Sequence, residues 1–182
     1  MAFTLNLPLT REDLAPLRAG DAVYLTGPLY TARDAAHKRI ADTVAAGGQP
    51  PVCLTNAAIF YTGPCPARPG DVIGPLSPTT SLRMDRFVEG MFALGMTAMI
   101  GKGIRSAEVT ALCKRYGGIY FLGIGGAAAL IAGNVTSCEV AAYADLGAEA
   151  IRLLTVKDMK VFVGIDSQGA VLQDMEIPKY RR

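Results

Sequence analysis

The feature that most restricts what this sequence can fold into is the run 116–138, which contains no charged residue. A stretch of about 20 apolar residues is what crosses a bilayer. Six glycines (117, 118, 123, 125, 126 and 133) and the polar Asn134, Thr136 and Ser137 interrupt this one, and neither basic clusters nor aromatic belts flank it. It therefore reads as a buried strand, a glycine turn and a short packed helix, which need a protein interior around them. Hydrophobic residues at 51%, charged residues at 19%, 20 Gly and 11 Pro point to such an interior: a compact, turn-rich α/β fold, not a disordered or coiled-coil chain. At about 150 residues per domain, residues 1–182 make a single domain.

The rare residues narrow the chemistry. The net charge is +2 and no basic run is interleaved with aromatics, so a nucleic-acid surface has no support. There is one histidine, and the four cysteines (53, 65, 113 and 138) contain no C-x-x-C pair. A self-contained zinc site or iron–sulfur ligand set is not expected from such spacings. Arg11, Glu12, Asp13 and Arg18 break any apolar N-terminal run, so no secretory signal is read and the thiols are expected to be reduced in a cytoplasmic protein.

Along the chain, strands are expected at 3–7 and at 21–26, the second entering a turn at Gly27-Pro28. A helix follows with Thr31 as N-cap, Asp34 three residues on, and Ala36, Ile40 and Val44 on its apolar face. A short strand at 59–61 leads into residues 63–78, where five prolines and three glycines force an irregular loop. A second helix begins at Thr80 or Ser81 with Met84, Phe87, Val88 and Met91 as its stripe. Then come a strand at 97–100, a third helix capped by Ser106 and closed by Gly117-Gly118, a strand at 119–122 and a helix at 127–132. Residues 134–147 read as helix or loop, strands follow at 150–156 and 161–165, and Asp166 to Gly169 make a hairpin-type turn.

Three polar clusters lie just after strand-to-helix turns, where backbone N–H groups and the helix dipole favour anions. In the first, Arg33 and His37 are four residues apart and suited to grip a carboxylate, with Asp34 placed to orient the imidazole. The same residues also suit a capped surface helix with ordinary salt bridges. In the second, Pro78-Thr79-Thr80-Ser81 precedes Arg83 and Asp85, and offers more hydroxyls than one N-cap needs. In the third, glycines on both sides of Lys102 permit close backbone approach and leave its ammonium unshielded. Two arginines and a lysine are enough cationic anchors for a small substrate with two carboxylates. A fourth motif, Gly123-Ile124-Gly125-Gly126-Ala127-Ala128, fits the dinucleotide fingerprint with Asp145 as ribose acceptor. No parallel strand is expected right after its helix, so its glycines read as close-packing positions. A stand-alone anion- or nucleotide-binding module using this turn, without catalysis, is the alternative reading.

In this order, the stretches Thr31-Ala-Arg-Asp-Ala-Ala-His-Lys-Arg39, Tyr61-Thr-Gly-Pro64, Pro78-Thr-Thr-Ser-Leu-Arg-Met-Asp85, Gly101-Lys-Gly103 and Gly125-Gly-Ala-Ala-Ala129 resemble the β-subunit, or the equivalent C-terminal domain, of iron–sulfur hydro-lyases of the class I fumarase and L(+)-tartrate dehydratase type. The resemblance runs from Gly27 to Gly169, with Ser77 standing where the family usually has glycine. It implies a three-layer swivelling β/β/α domain with a mixed sheet and a lyase activity: reversible hydration or dehydration of a small dicarboxylate, fumarate to malate first and tartrate to oxaloacetate next. It further implies a [4Fe-4S] cluster held by three cysteines of a partner α-subunit, with no metal bound by this chain. The assembly would be a hetero-oligomer, the isolated chain forming a homodimer, with neither nucleic acid nor membrane as partner. Carried over by position, Arg33 and Arg83 are the carboxylate clamps, Thr79 and Thr80 the hydroxyls at the reacting carbon, and Lys102 a further anchor. Thr79 is the base, with Asp85 relaying its proton, or else a hydrogen-bonding group; Asp34 and His37 hold Arg33 from behind.

Overall fold

The computed structural model describes residues 2–181. Its strands are β1 (Ala2–Asn6), β2 (Ala22–Thr31), β3 (Ala58–Phe60), β4 (Ala98–Gly101), β5 (Ile119–Leu122), β6 (Val135–Ala142) and β7 (Ile151–Ile165). The helices are α1 (Arg11–Leu14), α2 (Asp34–Ala45), α3 (Val88–Ala93), α4 (Ala107–Tyr116), α5 (Ala128–Gly133) and α6 (Leu172–Tyr180), with 3₁₀ segments at Ser81–Phe87 and Ala144–Glu149.

One mixed sheet of seven strands organises these elements. β1, β2, β3, β4 and β5 are mutually parallel neighbours, while β7 runs antiparallel to β2, β5 and β6. Because β7 pairs with β5 on one edge and with β2 on the other, the ladder β2–β3–β4–β5–β7 returns on itself and closes. The strand pleat then sorts side chains to two sides. Ala58, Phe60, Ala98, Ile100, Ile119 and Phe121 point into a core shared with Leu25, Leu29, Leu154 and Val163. Ile59, Met99 and Tyr120, the alternate residues, pack outward against Ala36 and Ile40 of α2, Met91 of α3 and Val109 and Leu112 of α4. Strands buried on both faces carry almost no polar residues, which is why β3, β4 and β5 read as continuous apolar runs. A mixed sheet with helices packed on its outer side is the arrangement that the resemblance implied.

The run 116–138 is the end of α4, then β5, the glycine turn, α5 and the start of β6. Among the described residues no helix is long and apolar enough to cross a membrane.

Four local expectations are corrected. β2 does not stop at Gly27-Pro28 but continues to Thr31; Gly27 adopts φ +123° at a shift of register against β7. A Cβ there would lie 2.8 Å from the Leu7 carbonyl oxygen, so the bulge needs glycine. Pro28 falls where β1 has ended at Thr26 and β3 has not begun at Tyr30, so its missing N–H costs no ladder bond on that edge. Thr31 is consequently a buried strand residue, its hydroxyl accepting from the Arg152 N–H at 3.1 Å, and the N-cap of α2 is Arg33. Residues 135–142 form an edge strand instead of helix or loop, with Thr136 and Glu139 exposed and Ser137 half-buried. Finally, 151–165 is a single strand, because Lys157-Asp158 form a bulge with Asp158 at φ +52° and not a break.

Candidate active site

The carboxyl ends of β2, β3, β4 and β5 converge on one rim, the place where ligands bind to parallel sheets. The segment 78–81 threads between two of them. Thr79 N–H donates to the Tyr61 carbonyl at 2.7 Å, Lys102 N–H to the Thr79 carbonyl at 3.2 Å and Ser81 N–H to the Lys102 carbonyl at 3.0 Å. Thr80 and Lys102 are thereby paired as in a parallel ladder. On the far side Gly123 N–H reaches the Gly101 carbonyl at 2.7 Å. A cleft of about 310 Å³ opens here, lined by Arg33, Gly63, Ser77, Thr79, Thr80, Lys102 and Ala128 among others. The side chains of three sequence clusters thus share one concavity.

Arg83 joins them from the rim. It donates from Nε and Nη2 to the two carboxylate oxygens of Asp34, at 2.9 and 3.2 Å, and from Nη2 to Thr79 Oγ1 at 2.9 Å. Partial burial alone would raise the Asp34 carboxyl, but the Arg83 hydrogen bonds and the start of α2 hold it below the ordinary carboxylate range. The expected role of Asp34 is therefore corrected: its hydrogen-bonded partner is Arg83, across the site, and not Arg33.

The carboxylate grip expected of His37 from its spacing to Arg33 is not formed. It is 1% exposed and faces the core, stacked on Phe87 at 5.8 Å between ring centroids and edge-on to Tyr61 at 5.3 Å. Its Nδ1 lies 2.8 Å from the Arg33 carbonyl oxygen. A carbonyl only accepts, so this nitrogen carries the proton, and the ring braces the backbone of Arg33 instead of presenting itself to a ligand. Burial pulls its pKa down to about 4.

Asp85 is not placed to relay a proton from Thr79. Its Oδ1 accepts from Arg105 Nε at 2.7 Å and its Oδ2 from Ser106 N–H at 2.8 Å, while the Thr79 hydroxyl is bonded by Arg83. Ser77 contributes its backbone: its carbonyl accepts from Thr62 Oγ1 at 2.8 Å, a bond that does not depend on its side chain.

Two residues escaped sequence reasoning. Glu149, at the end of the second 3₁₀ segment, accepts from Ala35 N–H at 2.9 Å and stands 3.6 Å from Arg33 Nη2, supplying the cap that Arg33 does not. The side chain of Arg105 is completely buried. Neither sits in a local motif; an Arg before a helix cap and a Glu before a strand both read as solvated.

The glycine turn is corrected in part. A Cβ on Gly123 would meet Pro78 Cγ at 3.1 Å, so that glycine is a close-packing position, but Gly125 and Gly126 have nothing within 4 Å. The strand after α5 exists, yet it is antiparallel to its neighbour β7, so the parallel unit a dinucleotide needs is not formed.

The residues present do not fit an iron–sulfur cluster. Cys53 and Cys65 are exposed, Cys138 is half-buried and Cys113 is buried, its thiol pushed up to about 12 by burial where a ligand must be a thiolate. Among the described residues no three His, Cys, Asp or Glu side chains are grouped to hold a metal ion.

Comparison with known proteins adds an independent line. The family model described as "Fumarase C-terminus" matches residues 1–175. The "Fumarate hydratase class I, aerobic" of Escherichia coli is 37% identical over 170 residues, which is 91% of this chain and 31% of that protein. "Fumarate hydratase 2" of Leishmania major is 35% identical over 161 residues, 87% of this chain and 28% of that protein. The protein of Methanocaldococcus jannaschii named "Putative L(+)-tartrate dehydratase subunit beta" is 35% identical over 175 residues, 93% of this chain and 89% of that protein. This chain spans about a third of the length of the fumarate hydratases it matches.

Proposed function

The chain belongs to the fumarase C-terminal family, and from that premise we propose that it supplies the dicarboxylate-binding half of a hydro-lyase site. Fumarate and malate are the first substrate pair, and tartrate with oxaloacetate the second. The observation that carries this reading is the cleft in which Arg33, Thr79, Thr80 and Lys102 face one another, with Arg83 held against Thr79. Two carboxylates need separated cationic anchors, and Arg33 and Lys102 come from different strand ends of the same rim.

Removing a proton beside a carboxylate builds negative charge on that carboxylate, which fixed guanidinium and ammonium groups stabilise more in the transition state than in the ground state. Arg83 donates to the Thr79 oxygen, so Thr79 acts as a hydrogen-bonding group at the reacting carbon, and negative charge arising beside it is stabilised by Arg83, not Asp85. Thr80 orients the substrate, and His37 and Asp34 hold the backbone of Arg33 and the side chain of Arg83.

An iron–sulfur cluster would supply Lewis-acid chemistry at the leaving hydroxyl. In this proposal it resides on a partner α-subunit in a hetero-oligomer, a view supported by the poor fit of this chain's cysteines and by the likeness to a protein named as a β-subunit. Four free thiols accord with a cytoplasmic setting. The test is reconstitution. The purified chain should not turn over fumarate, malate or tartrate, and activity should appear anaerobically once a partner with three cluster cysteines is added. Full turnover by the chain alone in chelator would overturn the proposal.

A further inference from the structure

Close along the chain to the cleft residues Lys102 and Thr80, Arg105 and Asp85 form an ion pair that the reaction does not use directly. The Arg105 side chain is 0% exposed and that of Asp85 12%. The guanidinium lies 4.8 Å from the ring centroid of Tyr120 and 5.5 Å from that of Tyr61, which contribute cation–π contact on the apolar side. Both oxygens of Asp85 are spent on one short segment: Oδ1 takes Arg105 Nε and Oδ2 takes the Ser106 N–H. The Tyr120 hydroxyl lies 3.0 Å from Ser81 Oγ and 3.1 Å from the Gly103 carbonyl. A carbonyl only accepts, so the Tyr120 proton goes to Gly103.

These bonds converge on the loop 101–106, which carries Lys102, and fasten it to the 3₁₀ segment Ser81–Phe87, which carries Arg83 and Asp85. The backbone bonds Lys102 N–H to Thr79 and Ser81 N–H to Lys102 complete the tie. Burying a guanidinium and a carboxylate is costly, and apolar residues of similar volume would pack the same space with equal or greater stability. What such residues cannot supply is directional attachment of the loop at Ser106 and Arg105.

We infer that Arg105 is a positioning residue: through Asp85 it locks the 101–106 loop so that the Lys102 ammonium stands in fixed register with Thr79 and Arg83. The inference deepens the proposed dicarboxylate site and rests on it for its kinetic consequence, though not for its structural one.

Two measurements test it. In the full chain, hydrogen exchange at the Lys102 and Ser106 amides should quicken about tenfold in Arg105→Lys, while amides of β3, β4 and β5 keep their protection. In the reconstituted enzyme Arg105→Lys should lower kcat about tenfold with KM within about twofold, and should add less than about twofold to the effect of Lys102→Ala. Additive effects of the two substitutions, or exchange unchanged in a folded variant, would overturn the inference. Where Arg105→Lys does not fold, Asp85→Asn, which removes the charge that holds Arg105 Nε while keeping an oxygen for the Ser106 N–H, carries both measurements with the same expected signs. If the wild-type assembly shows no dicarboxylate turnover, it is the functional proposal that fails, and the exchange result alone decides the positioning role.

Discussion

Arg83 and Asp34, 49 residues apart in sequence, form a two-pronged ion pair that joins the first 3₁₀ segment to the first turn of α2. Two clusters that read separately along the chain are thereby one device, and the Arg83 that holds Asp34 also holds the Thr79 hydroxyl. The pair is partly exposed, 47% and 32% for the two side chains, so its value for stability is no more than about 1 kcal/mol. Its value lies in aiming Arg83. Arg83→Ala is expected to lower kcat/KM by about 10²-fold or more, as loss of a charged hydrogen bond in the transition state implies. The melting temperature should move little. Asp34→Asn should show the same direction with a smaller loss. Steady-state kinetics beside thermal melts would check both, and normal turnover in Arg83→Ala would reject the clamp.

The buried His37 makes stability depend on pH. Burial lowers its folded pKa to about 4, below the unfolded value of 6.5, so the folded state binds fewer protons in between. The stability it confers is complete above pH 6.5 and is lost as pH falls from there towards 4, by an amount on the order of 3 kcal/mol. Urea unfolding at pH 7 and pH 5 should show about 2 kcal/mol of this drop in the wild-type chain. In His37→Phe the pH 7 value should be lower, because the Arg33 carbonyl loses a donor, but the drop between the two pH values should flatten. An equal drop in both proteins would show that other groups titrate.

Glu149 stands against the guanidinium that the proposal assigns to substrate. Glu149→Gln keeps an oxygen for the Ala35 N–H and removes the charge facing Arg33. The expected result is a KM for the dicarboxylate about two- to fivefold lower, with kcat little changed, since the competing anion is removed equally from ground and transition states. A higher KM in that variant would mean that the Glu149 charge aims Arg33 instead of restraining it.

The glycine turn offers a contrast between neighbours. Gly123→Ala should disturb the loop that delivers Thr79, because its Cβ meets Pro78 at 3.1 Å, and so should reduce turnover. Gly125→Ala meets nothing within 4 Å and should leave both melting temperature and turnover at wild-type values. Calorimetry with NAD and ATP should give no binding in either; tight nucleotide binding abolished by Gly125→Val would favour the nucleotide-binding reading over the one proposed here.

Much of the architecture was legible before the structure. The apolar runs at β3, β4 and β5, the Ser106 cap accepting from Val109 N–H at 3.4 Å, and the Asp166 turn, whose Oδ1 accepts from Gln168 and Ala170 N–H, all follow from local chemistry. Local signals mislead where tertiary pairing overrides them. Gly27-Pro28 looks like a turn, but β7 holds it in the sheet along one edge. Thr136, Ser137 and Glu139 make 134–147 look unlike a strand, but an exposed edge strand tolerates them.

By itself the sequence determined that the chain encloses its uncharged run in a mixed α/β fold and that cationic and hydroxyl groups follow strand ends, because pattern, caps and turns act over a few residues. Only the tertiary structure decided which acid meets which base: Asp34 goes to Arg83, Glu149 to Arg33, Asp85 to Arg105, and His37 to the core. Those choices depend on strand order and on how the ladder closes, and charge pairs are set by the few ångströms that separate side chains in space, a distance with no trace in the spacing along the chain.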